Sequence, residues 1–211
     1  VKKLALVFFL CFALPSFALS PAVDKAHKAS YQIAQVTVTG TAFCSATAIG
    51  PQALLTASHC ELPDETVVVR GVGPLDIVAR TRDGNDHTIL LIKGATFADY
   101  VDVALDSLQV TDDVFTIGNP GQWKSIYQRG YVAGVLHKDE GIVILLDLQA
   151  FPGASGSGVF NTDGKLVAVL ATNEPQVEGE LQIDLAGAYP LQFSQKDIDN
   201  ARAFTTPQEA K

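Results

Sequence analysis

The chain of 211 residues lacks any long helical periodicity before its C-terminus, which sets aside a core built from helices. It also lacks an apolar run of the about 20 residues that a membrane-spanning helix needs. The longest such run, Leu4 to Leu14, is interrupted by Pro15. Cations are scarce, with 15 Lys and Arg against 23 Asp and Glu, for a formal charge of -8. That balance argues against nucleic acid or an anionic membrane surface as the main partner. There are only three cysteines. His27 and His137 stand in polar surroundings with no carboxylate or cysteine at ligand spacing, so no metal is expected. Tandem repeats, low-complexity tracts and a linker to a third module are missing as well. No methionine occurs, and the opening Val1 fits a non-standard start codon read literally.

What is present begins with a leader. Lys2 and Lys3 precede the apolar Leu4 to Leu14, and Pro15-Ser16-Phe17-Ala18 offers small residues for cleavage. Residues 1–20 therefore read as a secretory signal peptide. The expected location is secreted or periplasmic, with no stable membrane association once the signal is removed. Cys11 leaves with the signal, and the even remainder, Cys44 and Cys60, is expected to form one disulfide. Loop entropy assigns such a crosslink roughly 3 kcal/mol.

Beyond residue 30 the chain is a series of short β-branched or alternating runs: 31–39, 41–49, 53–57, 66–72, 77–82, 88–92, 114–117, 131–136, 142–148, 158–160, 166–171 and 181–185. Gly73-Pro74, Asp83-Gly84-Asn85, Gly118-Asn119-Pro120-Gly121 and Asp163-Gly164 punctuate them. Many short strands with 17 glycines predict an all-β barrel or sandwich. Residues 21–30 are polar and read as a mobile lead-in. Ser194-Gln195-Lys196-Asp197 resembles a capping box and predicts a short helix over 195–204, before a tail at 205–211.

Three segments carry chemistry. In Phe151-Pro152-Gly153-Ala154-Ser155-Gly156-Ser157-Gly158, glycines frame a serine between two apolar runs. A sharp turn there exposes Ser155 Oγ and turns the N–H groups of Gly153 and Ser155 into one hollow. A hydroxyl beside two converging donors suits acyl transfer: a nucleophile and an oxyanion site. The bland reading is an ordinary Gly/Ser hairpin. His59 lies in Leu54-Leu55-Thr56-Ala57-Ser58-His59-Cys60, where a crosslink at Cys60 would fix its backbone as a general base requires. Asp86 opens an apolar strand, Asp86-His87-Thr88-Ile89-Leu90-Leu91-Ile92. It is either a turn residue or a carboxylate that orients a histidine. His87 should leave the opposite face of that strand and be exposed.

These segments, in the order His, Asp, Ser, resemble the trypsin/chymotrypsin-fold serine peptidases. Gly164-Lys165-Leu166-Val167-Ala168-Val169 is similar to the strand bordering their substrate pocket. Ile117-Gly118-Asn119-Pro120 resembles the bacterial HtrA-like branch, and Gly156-Ser157 with Val159-Phe160-Asn161 resembles the glutamyl-endopeptidase branch. The resemblance covers about residues 31 to 189. It implies two six-stranded antiparallel β-barrels in a peptidase domain spanning 21–204. The lobes would be about 21–119 and 120–193. Residues 120–127 read as the passage between them, and Trp123 and Tyr127 either line the cleft or, the favoured reading, form a lobe-linking aromatic cluster. It implies Ser155 as nucleophile, His59 as general base, Asp86 as the orienting carboxylate, and the Gly153 and Ser155 amides as oxyanion hole. The partner would be a protein or peptide substrate, and no cofactor or metal is required.

For the pocket, the resemblance points to Gln149, Ala171, Thr172 and Asn173 as substrate-binding. Gln149 stands where the trypsin branch carries a pocket-floor aspartate, and Thr172-Asn173 replaces the histidine of the glutamyl branch. An uncharged P1 side chain is therefore expected. A competing reading is a chymotrypsin-fold binding protein that does not cleave. An α/β-hydrolase is set aside, because its histidine comes last in the chain and a helix follows its serine.

Overall fold

The computed structural model describes residues 20–37, 40–60, 66–138, 141–178 and 181–206. Of the expected signal at 1–20 and tail at 205–211, residues 1–19 and 207–211 lie outside the described residues. In chain order the elements are α1 (Pro21–Lys28), β1 (Ser30–Thr37), β2 (Gly40–Gly50), β3 (Ala53–Ala57), a single 3₁₀ turn (Ser58–Cys60), β4 (Thr66–Val69), β5 (Gly73–Pro74), β6 (Asp76–Arg82) and β7 (His87–Lys93). There follow β8 (Asp113–Gly118), β9 (Ile126–Lys138), β10 (Gly141–Leu146), β11 (Gly158–Asn161), β12 (Leu166–Glu178), β13 (Leu181–Pro190) and α2 (Gln195–Ala203).

Two antiparallel sheets form the body. The second closes as β10-β13-β12-β11-β8-β9, the six-stranded barrel expected. The first is a seven-stranded sheet ordered β5-β4-β1-β2-β3-β7-β6. It differs from the expected six strands because Gly73 and Pro74 pair with Val69 and Val68 as an extra two-residue strand.

The passage between lobes also corrects the expectation. Gly118-Asn119-Pro120-Gly121 is a hairpin turn inside the second barrel, since β8 and β9 flank it and pair with each other. The crossing is made by residues 94–112. It is stitched to the first lobe by Phe97 N–H to the Pro51 carbonyl (2.7 Å) and Val101 N–H to the Ala48 carbonyl (3.0 Å). It is stitched to the second by Leu166 N–H to the Asp102 carbonyl (2.8 Å) and Ala104 N–H to the Leu166 carbonyl (2.9 Å).

Near-continuous apolar runs in β2, β3 and β7 fill the first lobe with Ile49, Leu54, Leu55, Ile89, Leu90 and Ile92, all fully buried. Burying each such side chain stabilises the fold by about 1.5–3 kcal/mol. Phe160 and Phe115 of the second lobe stack at 5.1 Å and join the same core, so the lobes share one interior along their seam. The C-terminal helix returns to the first lobe, burying Ile198 and Ala201. Its capping box is formed: Ser194 Oγ accepts the Asp197 N–H, and Asp197 accepts the Ser194 N–H.

The lead-in is a helix rather than a mobile strip. Ser20 Oγ caps α1 by accepting the Val23 N–H, Pro21 fits its first turn, and Asp24 pairs with Lys28 at 2.8 Å. Ala26 and Ala29 are fully buried beneath it. Eight residues are too few to show a period in the sequence. Among the described residues no helix is long and apolar enough to cross a membrane.

Candidate active site

The serine loop is two consecutive tight turns. Ala154 N–H donates to the Phe151 carbonyl (2.8 Å) and Ser157 N–H to the Ala154 carbonyl (3.0 Å). Gly153 and Gly156 occupy the third position of each turn with φ of +92° and +85°, a conformation glycine adopts without strain. Space demands glycine at 156 independently: a Cβ there would lie 2.0 Å from the Ser45 carbonyl oxygen. Ser155 is thereby held at the head of the second turn. Its Oγ donates to the Ala171 carbonyl at 3.1 Å. Among the described residues, neither the Gly153 nor the Ser155 N–H donates to a protein acceptor.

A residue that sequence reasoning passed over anchors this loop to the other lobe. Ser45, fully buried on β2, donates its N–H to the Ser155 carbonyl (2.7 Å) and its hydroxyl to the Gly153 carbonyl (3.1 Å). Its hydroxyl also accepts the Asn119 N–H at 2.9 Å. Nothing in the local pattern around a strand serine signals that role.

On the first lobe, β3 delivers the 3₁₀ turn that carries His59, and the Cys44–Cys60 disulfide ties that turn to β2 with Cα atoms 6.0 Å apart. Asp86 grips His59 twice. Its Oδ2 lies 2.6 Å from Nδ1, and its Oδ1 accepts the His59 N–H at 3.0 Å. The grip fixes the proton on Nδ1 and leaves Nε2 as the basic nitrogen. Asp86 itself has φ of +63°, a backbone state that costs a non-glycine residue roughly 1–2 kcal/mol. Its carbonyl is held by the Ser58 N–H at 2.7 Å. Burial pushes the Asp86 carboxyl up, but the hydrogen bonds and charge of His59 outweigh it and hold the group below its ordinary value. Among the described residues His59 Nε2 makes no hydrogen bond, so the structure joins Asp86 to His59 and leaves Ser155 bonded elsewhere.

Beside Ser155 opens a cavity of about 380 Å³ lined by Ala150, Phe151, Pro152, Ala154, Leu170 and Ala171. Ala171 thus borders it. Gln149 does not line it; it is exposed, and Gln128 clasps its backbone, donating to its carbonyl (2.9 Å) and accepting its N–H (3.1 Å). Thr172 and Asn173 continue β12, and their side chains lie outside the described residues. Across Phe151 and Pro152 lies an apolar concavity of about 780 Å³, walled by Pro120, Gly121, Gln122, Trp123 and Ile126. Trp123 is 70% exposed there and, among the described residues, joins no lobe-linking cluster.

Comparison with known proteins decides the family. A sequence model described as trypsin-like peptidase domain matches residues 40–169. The chain belongs to the trypsin-like peptidases. It is a serine-type endopeptidase by that membership. Solved structures share the fold at low identity. The active form of the Rv3671c protease from M. tuberculosis has a TM-score of 0.67 at 16% identity, covering 90% of this chain and 87% of its own. An inactive-form mutant of the same protein has 0.63 at 15%, covering 83% and 87%. The HtrA-type protease AlgW with tripeptide has 0.65 at 19%, and this chain's 85% covers 62% of it. No curated protein matches the chain.

The peptidase carries a second Asp–His pair that the sequence reading misplaced. His87 was expected on the exposed face of its strand, yet its side chain is fully buried. Its Nδ1 lies 2.6 Å from Asp83 Oδ2, and both side chains are inaccessible. The left-handed residue before it disrupts the expected alternation, and β7 is buried along most of both faces.

Proposed function

We propose that this trypsin-like peptidase cleaves peptide bonds of protein or peptide substrates outside the cytoplasm through an acyl-enzyme. Ser155 is the nucleophile, His59 the general base and then acid, and Asp86 the orienting carboxylate. The observation that carries the reading is the double grip of Asp86 on His59, within a family domain whose other lobe presents Ser155 between two turned glycines. In the reaction, Ser155 Oγ turns from the Ala171 carbonyl toward His59 and attacks the scissile carbonyl carbon. Its proton passes to Nε2. The Gly153 and Ser155 N–H groups take the oxyanion, a contribution of roughly 3–4 kcal/mol per donor. His59 then protonates the leaving amine as the C–N bond breaks. Water repeats the sequence on the ester and frees Ser155. The leader and the disulfide support export.

The cavity beside Ser155 has no charged side chain among its described lining residues. An unpaired charge buried there costs several kcal/mol. The preferred P1 side chain is therefore uncharged and small to medium. Profiling the purified mature chain against a peptide library, with Ser155→Ala as control, tests both statements. Cleavage after uncharged residues that vanishes in Ser155→Ala is expected. Efficient cleavage after Arg, Lys or Glu overturns the pocket assignment, and activity surviving in Ser155→Ala overturns the mechanism. The Ser155 bond to Ala171 favours one other reading, a binding protein in which Ser155 never engages His59; that form would hydrolyse nothing.

A further inference from the structure

The turn that carries Asp86 is closed by groups with no part in proton transfer. Asp83 Oδ1 accepts the Asn85 N–H at 2.8 Å and the His87 N–H at 3.3 Å. Asp83 N–H in turn donates to the His87 carbonyl at 3.3 Å. Asp83 Oδ2 takes His87 Nδ1 at 2.6 Å and the Gln192 N–H at 2.9 Å. Gln192 belongs to the segment leaving the second barrel, and Asn85 Nδ2 donates to the carbonyl of Pro190 in that same stretch at 2.9 Å. The His87 ring sits between Tyr189 and Phe193, with centroids 6.4 Å from each. Its Nε2 is buried without a partner, so Asp83 is the ring's sole polar contact among the described residues.

These contacts surround the one residue of the turn that holds an unfavourable backbone state. A left-handed aspartate persists only where its neighbours determine it from both sides. On one side the Ser58 N–H holds the Asp86 carbonyl. On the other stands the Asp83–His87 bond, and Asp83 and Asn85 dock the same turn against the end of β13 through the Gln192 N–H and the Pro190 carbonyl. β13 pairs with β12, where Ala171 accepts the Ser155 hydroxyl and Leu170 accepts the Gly156 N–H. We infer that the buried Asp83–His87 pair is a positioning device for Asp86. It fixes the angle at which Asp86 meets His59 and the register of that turn against the strand behind Ser155. The inference rests on the assignment of Asp86 and His59 proposed above.

The test compares His87→Phe, which keeps an aromatic ring and loses the Nδ1 donor, with His87→Asn, whose amide can donate from the same place. In the full mature chain, counted by titration with a serine-directed fluorophosphonate, His87→Phe should lower kcat about 10- to 100-fold, the loss a small misplacement causes. KM should move less than twofold, and His87→Asn should recover most of kcat. In an Asp86→Asn background the His87→Phe change should cost nothing further, because it acts only through Asp86. A kcat within twofold of wild type overturns the inference, and so does an equal loss in both backgrounds. If His87→Phe does not fold, Asp83→Asn carries the same two expectations. If that variant also fails to fold, the pair is a stability element and the inference is overturned. Failure of the catalytic assignment looks different: there Asp86→Asn alone leaves kcat intact.

Discussion

Asp86 with His59 and Asp83 with His87 make the same bond, carboxylate Oδ2 to Nδ1 at 2.6 Å, from two aspartates of one turn. In each pair the other carboxylate oxygen takes the backbone N–H of the bonded histidine. Their surroundings differ completely. The His59 and Asp86 side chains are 46% and 27% exposed, whereas both members of the other pair are sealed. The general base of the proposed mechanism must exchange its proton with substrate, and the His59 side chain is partly open to solvent. His87 Nε2 faces protein and has no partner. Leaving a buried polar atom unpaired costs about 1–3 kcal/mol. The chain tolerates that loss one residue from Asp86, the proposed orienting carboxylate. On the proposed assignment, the same chemical pair serves proton transfer where it is open and geometry where it is closed.

Replacing the two aspartates separates those roles most strongly. Asp86→Asn should leave the fold intact and lower kcat by about four orders of magnitude, since His59 then takes the wrong tautomer. Asp83→Asn should cost at least tenfold less in kcat and more in stability, by steady-state kinetics and thermal unfolding. A smaller loss of kcat for Asp86→Asn than for Asp83→Asn would reverse the comparison.

Reducing the Cys44–Cys60 bridge should discriminate between the pairs as well. It loosens the 3₁₀ turn that carries His59, whereas Asp83 and His87 are bonded within their own turn. Stability should fall by roughly 3 kcal/mol on loop-entropy grounds, with part of the activity. Denaturant unfolding with and without reductant checks the first, and initial rates the second. Unchanged stability would show that the bridge does not constrain this turn.

Acid gives the smallest effect. Asp83 and Asp86 are both held below the ordinary value of 3.8: burial opposes ionisation in each, and histidine and backbone donors outweigh it. Groups lowered by folding stabilise the protein fully above that ordinary value, and the contribution disappears as pH falls through the lowered ones. The melting temperature should therefore decline below about pH 3.8 and be steady just above it as far as these groups are concerned. Asp83→Asn should flatten part of that decline. The part owed to Asp86 is weaker, because solvent screens a partly exposed pair. An unaltered slope in Asp83→Asn would remove Asp83 from the acid response.

The readable parts of this protein were those fixed within a few residues. Turn glycines around Ser155, the Ser194–Asp197 capping box and the β-branched runs all signal locally, and the family motifs arrive in order. The two remaining cysteines left one pairing, and it is formed. What escaped depends on distant chain. Ser45 looks like any strand serine until β2 meets the serine loop. His87 reads as exposed when alternation is carried through Asp86, whose left-handed backbone breaks it. Residues 120–127 read as the passage between lobes, yet they belong to the β8–β9 hairpin, where Gln32 of the first lobe holds the Asn119 carbonyl (2.9 Å) and the Gly121 carbonyl (2.6 Å). The α1 cap at Ser20 and Pro21 was visible in principle, but the polar residues after it masked the burial of Ala26 and Ala29.

The central claim is that Ser155, His59 and Asp86 act together, and covalent labelling tests it most directly. The mature chain, treated with a fluorophosphonate and digested for mass spectrometry, should carry one adduct, on Ser155. Labelling should slow by orders of magnitude in His59→Ala and Asp86→Asn. An unlabelled, folded chain, or labelling of Ser155 at the same rate in all three proteins, would contradict the account.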